Sequence, residues 1–301
     1  MKKVSIFLLA LFLMFLGACS NQENKGTEKE SNETRTIETT LGDVEIPDVP
    51  QRVIVTYNLG DVLALGVKPV ATYDATGKAY EKEVADIPVW DTFDEETIMA
   101  YEPDLILVIS EDDVEKMSKI APTIFVPFTE MSMEERLTFL GEVFNKQEEA
   151  KTLLADFDQQ ITDAKAKLEE NGILDQTVSI FEGDYDGNGS IWVFGDKWGR
   201  GGDLIYSHLG LKAPKVIEDE IIGKDQYREL SMEVLPEYTG DFIIFSGEQG
   251  GLADNKVWQA IPAVQEGKIV PIDFDLFYDI DIYSSKVQLD YLVDAMIQTV
   301  K

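Results

Sequence analysis

The segment from residue 148 to residue 170 constrains the fold more than any other part of this sequence. Its apolar residues recur mainly at intervals of three or four and form one stripe along about five turns of helix. It contains no internal glycine or proline, and Asn171-Gly172 ends it. The stripe residues are Ala150, Leu153, Leu154, Phe157, Ile161, Ala164 and Leu168. We therefore predict one long helix that joins two halves of the chain.

Short apolar runs alternate with helix-length segments on both sides of that helix. The predicted strands are 53–57, 69–73, 105–109, 123–127, 178–181, 191–194, 242–245 and 269–272. The predicted helices between them are 60–65, 94–101, 112–120, 202–209, 231–236 and 284–298. This order predicts the α/β class: two Rossmann-like lobes with mainly parallel sheets. Two lobes on one stiff helix form a clamshell with limited hinge motion, and we expect the ligand in the cleft between them.

The charge and the rarest residues exclude several classes of function. The chain has 57 Asp+Glu against 26 Lys+Arg, a net charge of -31, which disfavours nucleic-acid binding and a polybasic attachment to lipid. One cysteine and one histidine exclude an intramolecular disulfide and a zinc site built from several such ligands. A histidine-dependent catalytic triad would have to use His208.

The first 36 residues predict export and anchoring. Lys2 and Lys3 precede the mostly apolar run 4–16, which is too short to span a bilayer and is typical of a signal peptide. Leu16-Gly17-Ala18-Cys19 resembles the lipobox of bacterial lipoproteins, which implies cleavage before Cys19 and a diacylglyceryl thioether on it. The alternative is an ordinary secretory signal that happens to carry a cysteine. The predicted parts are a signal peptide (1–18), a lipidated tether (19–36), an N-terminal lobe (37–147), the connecting helix (148–170) and a C-terminal lobe (171–301).

A glycine-rich run between a predicted strand and a predicted helix is the most unusual motif. It reads Phe194-Gly195-Asp196-Lys197-Trp198-Gly199-Arg200-Gly201-Gly202 and fits neither a phosphate-binding loop nor a dinucleotide fingerprint. The glycines permit a tight turn that presents the Trp198 indole and the Arg200 guanidinium together. The alternative is a helix-start turn with an incidental surface arginine.

This run, with Leu209-Gly210-Leu211-Lys212 and the later 273–278 segment, resembles the iron-hydroxamate siderophore-binding lipoproteins of Gram-positive ABC importers. The resemblance covers about residues 36 to 299. It implies a class III solute-binding fold, a ferric siderophore as ligand and delivery to a permease driven by a cytoplasmic ATPase. It also implies that the siderophore holds the iron, with no protein ligand to the metal and no cofactor. We expect a monomer.

The resemblance also implies which residues bind. Arg200 suits the hydroxamate oxygens, and Trp198, Tyr278 and Trp192 supply aromatic surface. From the N-terminal lobe, Tyr57, Tyr73 and Trp90 are weaker candidates, because packing explains each equally well. Scarce arginine and an acidic chain favour a neutral ferric hydroxamate over a catecholate or citrate complex.

Two glutamates fit two interpretations. Glu96 and Glu233 each follow a capping residue and a spacer at a predicted helix start, where a negative charge complements the helix dipole. The resemblance implies in addition that one glutamate per lobe docks onto permease arginines.

Other functions stay open as alternatives. The same fold could carry a catecholate or citrate complex, haem or cobalamin, and a cell-surface hydrolase or a peptide- or adhesion-binding lipoprotein is more remote. Asp184–Gly189 matches the start of a calcium loop, but a glycine occupies its twelfth position, so a hairpin turn is the better interpretation. His208 is predicted to be a surface or helix-end residue rather than a haem ligand.

Overall fold

The computed structural model describes residues 33–183, 190–247 and 249–301. The predicted signal peptide, Cys19 and most of the predicted tether lie outside the described residues, as does the predicted turn at 184–189. Within the described ranges, no helix is long and apolar enough to cross a membrane.

The N-terminal lobe is built on a small parallel sheet. An antiparallel hairpin precedes it, formed by strands β1 (Thr34–Thr39) and β2 (Gly42–Pro47). The sheet has the order β3-β4-β5, with strands β3 (Val53–Val55), β4 (Leu105–Val108) and β5 (Thr123–Phe125). All seven residues of β3 and β4 are buried, as expected for parallel strands covered on both faces. The helices of this lobe are α1 (Leu59–Ala64), α2 (Glu95–Met99), α3 (Glu111–Met117) and α4 (Met133–Val143).

The connecting helix, α5, spans Gln147–Glu170 and packs against helices of both lobes. Its stripe is buried at five positions, and Leu153 and Leu154 are half-buried. The helix therefore contributes to one core that continues through both lobes. The fold class predicted from sequence, two α/β lobes joined by one long helix, is confirmed.

The C-terminal lobe contains a five-stranded mixed sheet with the order β10-β9-β6-β7-β8. Strands β10, β9 and β6 are parallel, whereas β7 and β8 continue the sheet in antiparallel pairs. Its strands are β6 (Val178–Gly183), β7 (Ile191–Phe194), β8 (Tyr227–Leu230), β9 (Phe242–Ser246) and β10 (Ile269–Ile272). Its helices are α6 (Lys215–Glu220), α7 (Lys256–Ala260), α8 (Pro262–Gln265) and α9 (Ile282–Gln298). Helix α9 packs against α1 and α5 and so ties this lobe to the N-terminal one.

Several elements differ from the sequence prediction. Strand β1 begins at Thr34, inside the segment predicted to be a polar tether. The prediction missed this strand because it contains no hydrophobic run and is formed by pairing with β2. The predicted strand 69–73 is reduced to bridges at Ala71 and Thr72. The predicted helix 202–209 is a π-helical turn over Asp203–His208.

The prediction of a helix over residues 231–236 is also wrong. Residues 231–234 form a turn, and a 3-10 helix follows over Leu235–Tyr238. Pro236 explains the difference, because it lacks the amide donor that a helix begun at residue 231 would need there and is tolerated only in the first turn, where the 3-10 helix places it.

Candidate functional site

The candidate site begins on one face of the C-terminal sheet. In the β6–β7–β8 register, Glu182 lies opposite Trp192, and Phe194 lies opposite Tyr227. Because side chains two residues apart in a strand share a face, these four residues project from the same side of the sheet. The Tyr227 ring stacks on Phe194 at 6.0 Å between centroids and lies 5.7 Å from Trp192. The sheet therefore offers an aromatic floor with a buried carboxylate, Glu182, in it and an exposed one, Glu229, at its edge strand.

Above this floor, the chain makes a turn with four successive residues in the left-handed region. Their φ angles are 67° at Trp198, 74° at Gly199, 57° at Arg200 and 80° at Gly201. For a residue with a side chain, this conformation costs about 1–2 kcal/mol. Such strain at Trp198 and Arg200 is typical of functional sites, where surrounding structure holds it in place.

Two of the glycines predicted to tighten this turn are required by close backbone contacts. A Cβ atom on Gly199 would lie 2.7 Å from the carbonyl oxygen of Tyr278, and one on Gly202 would lie 2.0 Å from that of Gly195. The amide of Arg200 donates to the carbonyl of Phe277 at 2.7 Å. The turn is thus fixed against the loop that follows β10, and it presents Trp198 and Arg200 as the sequence predicted.

Arg200 is held on three sides. It donates to Glu182 from Nε (2.6 Å) and from Nη2 (3.2 Å), and Nη1 donates to the carbonyl of Trp198 (2.8 Å). The guanidinium also lies 4.5 Å from the centroid of Phe194 and 4.9 Å from that of Phe274. Such a planar cation stacked on aromatic rings keeps its remaining N–H groups in a fixed orientation.

Three exposed aromatic side chains mark the binding surface. Trp198 is 52% exposed, Tyr227 47% and Tyr278 41%, and Trp198 meets Tyr227 edge-on at 6.2 Å. Phe274 connects this group to Tyr278, with 5.5 Å between centroids. Large exposed aromatic residues in one place indicate a binding surface.

The N-terminal lobe reaches this surface through Tyr57. Its ring lies 6.2 Å from Tyr278 and 4.7 Å from Phe128. Burial, together with the nearby charge of Asp279, raises the pKa of the Tyr57 hydroxyl well above its ordinary value, so it stays protonated. The structure thus brings Trp192, Trp198, Arg200, Tyr278 and Tyr57 together between the lobes.

Trp90 does not belong to this group. It is only 8% exposed and packs against Tyr73 and Phe93 in a core cluster of the N-terminal lobe. Tyr73 is half-buried, and its hydroxyl is bonded to that of Tyr80 at 2.7 Å. Packing therefore accounts for both residues, and we leave them out of the proposed site.

A second cation lies at the same surface, and it is also paired. Lys78 Nζ is 3.0 Å from Asp279 Oδ2 and 4.5 Å from the centroid of the Tyr278 ring. Tyr80 donates a hydrogen bond to the same carboxylate at 2.9 Å. The two cations that lie over the aromatic rings of this surface, Arg200 and Lys78, therefore each have their own carboxylate.

A cavity of about 430 Å³ opens between the lobes beside Trp198, within the range of small-molecule sites. Its walls are residues 128–134 and Arg136 from one lobe and residues of the 196–208 segment from the other. A larger depression of about 600 Å³ lies near Thr177 and Asp241, at the amino-terminal ends of β6 and β9. We place the site beside the first cavity, because Trp198 of the strained turn lines it. Arg200, Tyr227 and Tyr278 are not part of its wall and extend the surface from Trp198.

The two predicted docking glutamates are both exposed. Glu96 lies in the first turn of α2, where Asp94 caps the helix by accepting from the Thr97 amide at 2.9 Å. Glu233 lies in the turn before the 3-10 helix, so it does not open an α-helix as predicted.

His208 ends the π-helical turn, with Nε2 3.2 Å from Asp203 and its ring 5.2 Å from Phe157. Among the described residues, no group of three or more His, Cys, Asp or Glu side chains could hold a metal ion.

Sequence reasoning missed several residues of the site. Phe194 could have been found, because it shares a strand face with Trp192 two residues earlier. Phe274 lies inside the 273–278 segment but was not singled out. Tyr227 and Phe128 carry no local signal, since β8 and the inter-lobe contact were not predicted. Glu182 extends β6 by one residue beyond the predicted strand.

Comparison with known proteins identifies the family of this chain. Residues 53–276 match the model of a family described as periplasmic binding protein. The chain belongs to the periplasmic binding protein family. It is a family of substrate-binding proteins. The resemblance found in the sequence is confirmed.

Two similar proteins of this family are named iron(3+)-hydroxamate-binding proteins. The chain is 35% identical to the iron(3+)-hydroxamate-binding protein YxeB of Bacillus subtilis, over 97% of this chain and 95% of that protein. It is 31% identical to the iron(3+)-hydroxamate-binding protein FhuD of the same organism, over 98% of each. Among solved structures, FhuD2 from Staphylococcus aureus with bound ferrioxamine B superimposes with a TM-score of 0.76 at 25% identity, over 84% of this chain and 100% of that one.

Proposed function

We propose that this protein captures a ferric hydroxamate siderophore between its lobes and delivers it to a membrane permease for iron uptake. The observation that carries the proposal is the left-handed turn at residues 198–201, which presents an exposed indole and a fixed guanidinium over an aromatic floor. The relatives' names support the hydroxamate class of ligand.

The charges at the site support the same ligand. Three anionic hydroxamates cancel the charge of Fe³⁺, which leaves an approximately neutral core with exposed oxygen atoms. The site has one fixed donor group, Arg200, and Arg200 and Lys78 are both ion-paired. Lys197 lines the adjacent cavity, but so do the carboxylates of Glu130, Glu134, Asp196 and Asp203. It therefore offers hydrogen bonds and aromatic surface without a strong positive charge, which a trianionic catecholate complex would need.

We also propose that the protein binds and releases its ligand without catalysing a reaction. The charged groups Arg200 and Lys78 are paired with carboxylates, and His208 lies beside Asp203 and Phe157. These contacts suit a fixed binding surface. We propose that a lipid anchor at Cys19 holds the protein, as a monomer, at the extracellular face of the cell membrane. We keep the bounds predicted from the sequence for the signal peptide, the tether, the two lobes and the connecting helix.

Titration with ferrichrome and ferrioxamine B tests the proposal. We expect the complexes to quench the intrinsic fluorescence of the purified protein at about micromolar concentration or below. Replacing Trp198 by Ala removes exposed aromatic surface and should weaken binding by about 1–2 kcal/mol, roughly 5–30-fold. Calorimetric titration measures the variant, because it has lost one fluorophore.

Arg200→Ala provides a second variant with an expected loss of about 1.5–3 kcal/mol of binding free energy. The control is Tyr291→Phe, an exposed aromatic position on α9, which should bind as the wild type does. The absence of ferrichrome and ferrioxamine binding by the wild type contradicts the proposed function, and unchanged affinity in both variants removes the turn from the site.

Delivery to the permease is proposed to depend on Glu96 and Glu233, one on each lobe. In cells, the double variant Glu96→Ala/Glu233→Ala should bind ferrichrome normally but lower uptake of its iron by about tenfold or more, because charge pairs with the permease are lost. The matched control is Glu95→Ala/Glu237→Ala, which changes an exposed glutamate close to each of the two in sequence. Equal uptake by the two double variants would exclude this docking role.

A further inference from the structure

Glu182 is the buried carboxylate of the aromatic floor. It lies near the carboxyl end of β6, next to Trp192 in the register, and it is 4% exposed. Its burial distinguishes it from the many exposed acidic residues of this chain. A charged side chain is seldom buried to this extent unless it is paired.

The partner of Glu182 is Arg200. Both carboxylate oxygens accept from the guanidinium, at 2.6 Å and 3.2 Å, in the two-pronged geometry that fixes the plane of an arginine. The carbonyl of Trp198 accepts from Nη1. Three of the five N–H groups of the arginine are therefore used within the protein, and two are left for a ligand.

This pairing changes the charge that a ligand meets. An isolated guanidinium above an aromatic floor would attract any anionic chelate, and it would do so strongly because the surroundings have a low dielectric constant. With Glu182 directly behind it, the attraction of Arg200 for an anion is much reduced, while its N–H groups keep their direction. Lys78 and Asp279 form a second ion pair beside Tyr278.

We infer that Glu182 is a specificity-determining residue: it positions Arg200 and cancels its charge, so that the cleft accepts a neutral ferric chelate and discriminates against an anionic one. The inference rests on the proposed function and deepens it. Discrimination of this kind needs a repulsive element as well as an attractive one, and Glu182 is the repulsive element.

The test compares two chelates of different charge. Dissociation constants are measured for ferrichrome, which is neutral, and for a ferric tris-catecholate, which is trianionic. Glu182→Gln keeps the size of the side chain and an oxygen that accepts from Arg200, but it removes the negative charge. We expect the affinity for the tris-catecholate to rise about tenfold or more, while that for ferrichrome changes by less than about threefold.

Two further variants separate charge from structure. Glu169→Gln makes the same change of net charge at an exposed position near the end of α5, and it should alter the ratio of the two affinities by less than about threefold. Glu182→Gln/Arg200→Gln removes the guanidinium together with the carboxylate, so the gain in tris-catecholate affinity seen in Glu182→Gln should be lost, whatever the change in ferrichrome binding. A purely structural role predicts no such loss. If Glu182→Gln does not fold, Arg200→Gln is compared with the double variant: the two differ only in the charge at position 182, and Arg200→Gln should bind the tris-catecholate more weakly.

The gain for the anionic chelate should also shrink as salt is raised, because it is electrostatic. An unchanged ratio in Glu182→Gln, or a gain in tris-catecholate affinity that persists in the double variant, overturns the inference. Failure of the wild type to bind ferrichrome overturns the proposed function instead, so the two failures are distinct.

Discussion

Replacing Arg136 by Met is expected to lower the free energy of unfolding by about 3–5 kcal/mol, because it leaves Asp61 charged and unpaired inside the protein. Arg136 is 1% exposed, and its Nε donates to Asp61 at 2.6 Å. Asp61 is fully buried and accepts from the amide of Ile282 at 2.8 Å. Arg136 also donates to the carbonyl of Ile280 at 2.8 Å.

The pair therefore joins α1 and α4 of the N-terminal lobe to the start of α9. The loss is measured by urea denaturation of the wild type and the variant. The control is Arg228→Met, since Arg228 pairs with Asp225 and Glu220 at the surface, where such pairs contribute about 1 kcal/mol or less.

The double variant Asp61→Asn/Arg136→Met separates burial of an unpaired charge from loss of packing. The amide oxygen introduced at position 61 can still accept from the Ile282 amide, and no charge remains without a partner, so we expect most of the stability to return. A similar small loss for Arg136→Met and Arg228→Met would show that the buried pair does not hold the lobes together.

The Arg136–Asp61 pair shows where sequence reasoning stops. The stripe of α5 is predicted because every residue in it is placed by its neighbours within one helix. Asp61, Arg136 and Ile282 are separated by 75 or more positions in sequence, and their meeting depends on how the two lobes pack. No local pattern contains that information.

The candidate site also has features that local sequence predicts and features that only the tertiary fold determines. The glycines around Trp198 and Arg200 predict a tight turn, because the requirement for glycine is local. The partner of Arg200 is set by the register of β6 and β7 together with the fold of the turn, so Glu182 was not predicted. Strand β8, with Tyr227, was missed because its sequence Tyr-Arg-Glu-Leu lacks a continuous apolar run.

The second large expected effect is a dependence of the free energy of unfolding on pH, caused by Asp281, the carboxylate that caps α9. Asp281 is fully buried and accepts from the Ser284 amide at 2.7 Å. Burial, and then the charges of Asp279 and Asp61, raise the pKa of Asp281 from 3.8 to about 8. Its carboxylate lies so close to Gly60 that a Cβ atom there would be 1.9 Å from Oδ1.

The raised pKa sets the direction of the effect. Between about pH 4 and pH 8, the folded protein holds a proton on Asp281 that the unfolded chain has released. Stability therefore falls as the pH rises through this window, and the contribution of this group is on the order of 2–5 kcal/mol. Arg136 and Lys78 oppose the loss, but each already pairs with another carboxylate of this cluster, Asp61 or Asp279.

Asp281→Asn keeps a side chain that caps α9 equally well and cannot ionise. We expect it to flatten the decrease in stability between pH 5 and pH 9, measured by urea denaturation at each pH. The matched control is Asp94→Asn, the same change at the exposed cap of α2, where hydrogen bonds from Thr92 and Thr97 lower the pKa of the carboxyl group. Asp94 stabilises the folded state at high pH, so its replacement should not flatten the decrease. Identical pH profiles for the wild type and Asp281→Asn would contradict a proton held on Asp281 in the folded protein.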